Sequence, residues 1–271
     1  MNQNYNYKNI EIGLGLNLVD NLNPSKYFYE VVNSSDNYDE ALEKIQHYYQ
    51  EQKNSNSSIN TQEKECDIIT LRIAKILEED AFVFSPQTLK QIHKKLFEGV
   101  FESKLNLSVG NFRRYNILKG EDMLNGRSVI YGDHEDLQEY LTYDFNEEAK
   151  IKYASINTNE QIKKFSSFIS RIWQIHPFAE GNTRTMAIFA IKYLNKLGFE
   201  IDNSLFKDNS KYFRNALVLS NFSDVKFGIG EDISYLDSFF AKLMIDTNLE
   251  LKIIQNPYSI LETSKNKVNL E

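Results

Sequence analysis

The sequence predicts an all-α fold carrying one small β-hairpin, and three observations lead there. Apolar residues recur at helical spacing on both sides of the stretch 175–186. Ile162, Phe165, Phe168, Ile169, Ile172 and Trp173 precede it, and Met186, Phe189, Ile191, Leu194 and Leu197 follow. Helix-start chemistry recurs as well: Asn60 has Glu63 three residues on, and Ser85 is followed directly by Pro86. The periodicity changes between Asn111 and Gly132, NFRRYNILKGEDMLNGRSVIYG, where Asn125-Gly126 is a hairpin turn signal.

Composition narrows the class. With 41% hydrophobic residues, 16 Tyr and 18 Phe, the 271 residues suit one sizeable folded domain with an appended lobe. Thirty-one basic against 38 acidic residues give a net charge of −7 without a basic block, so nucleic acid is not an expected partner and a protein is. Cys66, the single cysteine, excludes an intrachain disulfide and reads as a buried structural thiol. The opening residues show no basic region followed by an apolar one, and no run reaches membrane-spanning length. The expected location is the cytoplasm without membrane attachment, although an effector exported without a cleaved signal would look the same.

In chain order, 1–59 is expected to be an N-terminal helical lobe and polar linker. Its first 15 residues give no assignable period, Pro24 and Ser25 open a short helix, and 38–50 repeats Ala41, Leu42, Ile45 and Tyr49. Residues 50–60, rich in Ser and Asn, read as the linker. The main domain is expected over 60–247. Asn60 caps a helix burying Ile68, Ile69, Ile73, Ile76 and Leu77, and Ser85-Pro86 open one carrying Leu89, Ile92, Leu96 and Phe97. His93, with lysines beside it, reads as a surface residue. After the hairpin, helix resumes over 134–145. His47, His93, His134 and His176 stand too far apart for a zinc site. The central helix ends at Gly198, further helices are expected over 210–222 and 232–247, and 248–271 is a polar tail.

The loop between the two apolar patterns, IHPFAEGNTRTM, concentrates chemistry. An imidazole, a carboxylate, an amide and a guanidinium lie between two buried helices, and the start of the second offers backbone N–H groups to an anion. Taken singly, His176 also reads as a residue closing a helix end and Glu180 as a solvated loop acid. Glu180 supplies hard oxygen ligands of the kind magnesium takes, and Arg184 suits bidentate phosphate binding.

HPFAEGNTR, 176–184, resembles the Fic motif, His-Pro-Phe-x-Asp/Glu-Gly-Asn-x-Arg, at every fixed position. The resemblance covers about 60–247 in layout, with the nine-residue loop its specific part. It implies the helical Fic fold and a protein adenylyltransferase that moves AMP from ATP, with Mg2+, to a Ser, Thr or Tyr hydroxyl of a target protein. By motif position His176 is then the general base and Glu180 the magnesium ligand. Asn182 and Arg184 are the phosphate-holding pair, Gly181 is the close-approach residue, Thr183 belongs with them to the nucleotide-binding set, and Phe178 plugs the loop into the core. The hairpin takes the place of the family's flap, with Ser128, Val129, Ile130 and Tyr131 docking an extended target segment as an added strand. Arg113 and Arg114 either brace it or approach phosphate. Tyr212 and Asn215 resemble adenine-side residues, and Tyr212 suits a core position equally.

Two features depart from the family pattern. The second arginine that many self-regulating members carry three positions after the first is replaced by Ala187. The inhibitory pattern Ser/Thr-x-x-x-Glu-Gly/Asn is matched over its first five positions by Thr61 to Glu65, with Cys66 following. An inhibitory glutamate and a plain capped first turn both remain open, as do another phosphate donor, kinase-like transfer and a catalytically weakened regulatory module. A separate antitoxin-like partner or self-association would supply control from outside.

Overall fold

A computed structural model describes residues 6–55, 57–101 and 104–259. In order its helices are α1 (Tyr7–Asn17), α2 (Lys26–Ser34), α3 (Tyr38–Asn54), α4 (Thr61–Glu78), α5 (Pro86–Phe97), α6 (Lys104–Ser108), α7 (Leu137–Glu148), α8 (Thr158–Ile175), α9 (Asn182–Lys196), α10 (Ser204–Leu219) and α11 (Ser234–Met244). Short 3-10 turns and irregular segments join them, and none of the described helices is long and apolar enough to cross a membrane. Two compact units share them: Met1–Phe112 with Phe178–Lys211, and Arg113–Pro177 with Tyr212–Glu271.

The first unit is built around α9, whose residues from Asn182 to Leu194 are all buried, with α1, α4 and α5 packed on it. Local chemistry starts the helices where the sequence indicated. The Asn60 side chain accepts from the N–H groups of Gln62 and Glu63, and Ser85 accepts from Thr88 N–H with Pro86 in the first turn. Ser25 caps α2 and also donates from Oγ to the buried Asp67 carboxylate at 2.6 Å. Tyr49 donates to the same carboxylate at 2.7 Å, which ties α2 and α3 to α4. The expected linker from Gln50 begins inside α3, which continues to Asn54. Cys66 is fully buried as expected, and desolvation, with Asp67 adjacent, pushes its thiol up to about 12.

Of the segment that gave no period, residues 1–5 lie outside the described residues and the rest from Tyr7 on belongs to α1. It packs closely on α4: a Cβ at Gly13 would stand 2.8 Å from the Thr70 carbonyl oxygen. α10 starts earlier than expected and changes direction at Asn209, whose φ of −128° is non-helical.

In the second unit α8 packs against α7 and α11, burying Phe165, Phe168, Ile169, Ile172 and Trp173. The expected β-hairpin is corrected here to a turn without strands. Asn125 (φ 55°) and Gly126 (φ 80°) reverse the chain and close one isolated antiparallel bridge, Glu121 with Arg127, over a 3-10 turn at Asp122–Leu124. Beyond that rung the backbone groups are engaged elsewhere. Lys119 N–H donates to Ser128 Oγ, Gly132 N–H to the Gln174 carbonyl, and the Gln174 amide to the Ile130 carbonyl, so no ladder propagates.

Candidate active site

The motif passes along the chain from one unit to the other: His176 and Pro177 belong to the second, 178–184 to the first.

In the second unit α8 stops because His176 takes the left-handed conformation, φ 50° and ψ 60°, which costs a non-glycine residue about 1–3 kcal/mol. Arg113 holds it there. Its Nε donates to the His176 carbonyl at 2.8 Å, Nη2 to the carbonyls of Ile175 and Gly132, and Nη1 to that of Tyr115, while its own N–H donates to the Pro177 carbonyl at 2.8 Å. Of the two roles the sequence left open for Arg113, the geometry shows the brace. His176 is 3% exposed, and its imidazole lies tilted at 34° to the Tyr131 ring, 4.1 Å between centroids, and meets the edge of Trp173 at 5.4 Å. Neither ring nitrogen has a hydrogen-bond partner. Desolvation first, then the positive charges of Lys119, Arg214 and Arg113, hold its pKa well below the usual 6.5, so the ring is neutral at pH 7. A neutral imidazole carries one N–H and one nitrogen able to accept a proton.

The flap nominees alternate in exposure: Val129 is fully buried and Ile130 is 83% exposed. Ser128 Oγ donates to the Val129 carbonyl, and Tyr131 reaches toward Glu121 at 3.4 Å. Glu121, itself buried, accepts from Arg214 through Nε and Nη2. Tyr212 is half-buried beside Phe239, donates weakly to the Tyr235 carbonyl at 3.4 Å, and its phenol is pushed up to about 12 by burial. Asn215 is likewise half-buried.

In the first unit Phe178 is buried as the expected plug. The Asn182 side chain bonds both ends of its backbone, accepting from Phe178 N–H at 2.9 Å and donating to Phe178 C=O at 2.8 Å. Gly181 (φ 75°) is the N-cap of α9, and no side chain caps that helix. A Cβ at Gly181 would come within 2.3 Å of the Phe97 ring, so the close approach here is to an aromatic edge. Glu180 is half-buried and Thr183 buried. Arg184 is 1% exposed and its guanidinium, 4.9 Å from the centre of the Phe97 ring, is gripped from three sides. Nη2 meets Glu65 at 2.7 Å and Asp20 at 3.0 Å, and Nη1 donates to Asn17 Oδ1 at 3.0 Å. Thr61 is exposed at the start of α4, so Glu65 is the residue of the Thr61 to Glu65 pattern that reaches the motif.

Residues 83–194 match the model of the Fic/DOC family. They form a Fic/DOC family domain. A protein adenylyltransferase of Bartonella schoenbuchensis, VbhT, is 28% identical over 119 residues, which is 44% of this chain and 23% of that protein. The chain thus matches about a quarter of the length of that curated relative.

Sequence reasoning missed three groups in and around the Fic domain. Asn17 and Asp20 come from α1 and the turn after it, where no motif marked them. His93, expected at the surface, is 2% exposed. A signal for it did exist: position 93 lies four residues from both Leu89 and Phe97, on the apolar face of α5.

Proposed function

We propose that this protein transfers AMP from ATP to a Ser, Thr or Tyr hydroxyl of a target protein. What supports this most is the complete 176–184 loop, with a neutral imidazole that keeps one nitrogen able to accept a proton. In the step proposed, the target hydroxyl gives its proton to His176 as its oxygen bonds to the α-phosphorus, and the bond from that phosphorus to the departing pyrophosphate breaks. Lowering of its pKa keeps the imidazole able to accept, and the αL backbone held by Arg113 aims it.

Charge on the phosphates is to be met by Arg184 and by the N–H groups at the uncapped start of α9. Among the described residues no three acidic, His or Cys side chains converge as a metal cage. Glu180 would be the protein ligand of Mg2+, which when bound would neutralise phosphate charge. Ile130, exposed next to the buried Val129, is the proposed contact for an extended target segment.

The contact of Glu65 and Asp20 with Arg184 supports a self-restrained state. Incoming phosphates compete with two carboxylates for one guanidinium. The inhibitory carboxylates come from this chain, so that contact requires no outside partner.

The deciding experiment uses purified protein, Mg2+ and a lysate with ATP labelled at the α- or γ-phosphate. Protein labelled by the α-phosphate alone is expected. Labelling from the γ-phosphate alone would establish the kinase-like alternative. Because Ala187 offers no cation where many relatives have a second arginine, donors with a different phosphate tail are a second reading, tested by labelled UTP in the same assay.

A further inference from the structure

His93 is a buried imidazole to which the proposed reaction assigns nothing. It sits on α5, which packs against α9, and its two nitrogens are both engaged. Gly110 N–H donates to Nδ1 at 2.9 Å, so the ring proton belongs on Nε2. Nε2 faces the Glu180 carbonyl oxygen at 3.0 Å and donates to it. The ring lies flat on Phe178, centroids 3.9 Å apart at 10°.

The bond to Glu180 carries the consequence. The Glu180 carbonyl and the Gly181 N–H are two ends of one rigid peptide plane. While His93 holds the carbonyl, the N–H at the other end donates to the Glu180 carboxylate, Oε1 at 3.2 Å. One turn later on the same face of α5, Phe97 occupies the space beside Gly181 and lies against Arg184. A packing role would need only the ring, and phenylalanine would fill it. Two directed nitrogens are used as well, which calls for an imidazole of one tautomer.

We propose that His93 is a positioning residue that, through the Glu180–Gly181 peptide, fixes the direction of the Glu180 carboxylate. This rests on Glu180 as the magnesium-side group, yet the geometry can be tested without nucleotide. His93→Phe keeps the stack on Phe178 and deletes the donor, whereas His93→Gln keeps a donor and deletes the ring.

Backbone hydrogen exchange is measured across 178–182 in the nucleotide-free full chain, together with the gain in ATP affinity that Mg2+ confers. In His93→Phe, exchange at Gly181 is expected to rise about tenfold, and the Mg2+-dependent gain to fall by a similar factor, the scale of one buried hydrogen bond. His93→Gln should stay within about threefold of wild type. A His93→Phe protein indistinguishable from wild type overturns the proposal, and so does a His93→Gln protein impaired as severely as His93→Phe, which would make the role packing.

Imidazole 15N shifts of the wild-type chain need no variant. A neutral ring protonated on Nε2 is expected, and protonation on Nδ1 overturns the geometry. If wild-type protein labels nothing with α-labelled ATP, the transferase reading fails, while the exchange and tautomer results still decide the role of His93.

Discussion

Glu65→Ala removes one of two carboxylates from a guanidinium that is 1% exposed, and alanine keeps α4 intact where glycine would cost it about 1 kcal/mol. A hydrogen bond to a charged group is worth about 1.5–3 kcal/mol when broken. Asp20 remains on the same Nη2 at 3.0 Å and Asn17 on Nη1, and the Glu65 side chain is 19% exposed, so the lower end applies. About 1.4 kcal/mol corresponds to tenfold, and that is the increase expected in ATP affinity and in the initial rate of auto-labelling at subsaturating ATP.

Stability should move the other way. A buried guanidinium that loses half of its carboxylate partners destabilises the nucleotide-free protein by about 1–2 kcal/mol. At 2–4 °C per kcal/mol this is a fall in Tm of roughly 2–8 °C, and ATP with Mg2+ should restore more of it in the variant than in wild type. Initial-rate labelling and thermal unfolding with and without nucleotide check both halves. Unchanged affinity and rate, in a variant whose Tm has fallen, would mean that Glu65 only supports the fold and that phosphates reach Arg184 without displacing it.

His176→Ala should abolish transfer and leave nucleotide affinity within about threefold, since it deletes the proton acceptor and no phosphate contact; titration calorimetry beside the labelling assay separates the two. Arg184→Ala should instead weaken ATP binding by about 1–3 kcal/mol, and equal binding losses in the two variants would refute this division of roles. The depressed pKa of His176 places the acid limb of kcat/KM below pH 6.5. It also sets the sign of a stability effect: between 6.5 and the lower folded-state value the unfolded chain binds the extra proton. The stability from burying a neutral ring is therefore complete above pH 6.5 and is lost as pH falls through that window. Urea unfolding at pH 7 and pH 5 should show a smaller acid loss in His176→Ala than in wild type.

The sequence by itself determined the helices that bear the site, and the loop between two of them. Asn60, Ser85 and Ser25 cap because their side-chain oxygens reach N–H groups two or three residues on, and Ile162 through Trp173 share a face because 3.6 residues make a turn. Such rules act over a few neighbouring residues and are legible without a fold. α10 departs from the local reading, starting at Ser204 and passing through a non-helical Asn209.

The tertiary structure decided which groups meet. α1 carries little periodic signal, yet it brings Asn17 and Asp20 to an arginine more than 160 positions away. Arg113 became a brace because four carbonyls converge on it. The flap remained a turn because Ser128 and Gln174 took the backbone groups that a second rung needed. The lysines after His93 masked its place on the apolar face of α5, and only the fold showed that its partner there is the Glu180 carbonyl. A buried charge or polar group must find its partner wherever packing excludes water, and in this chain those partners came from residues distant in sequence.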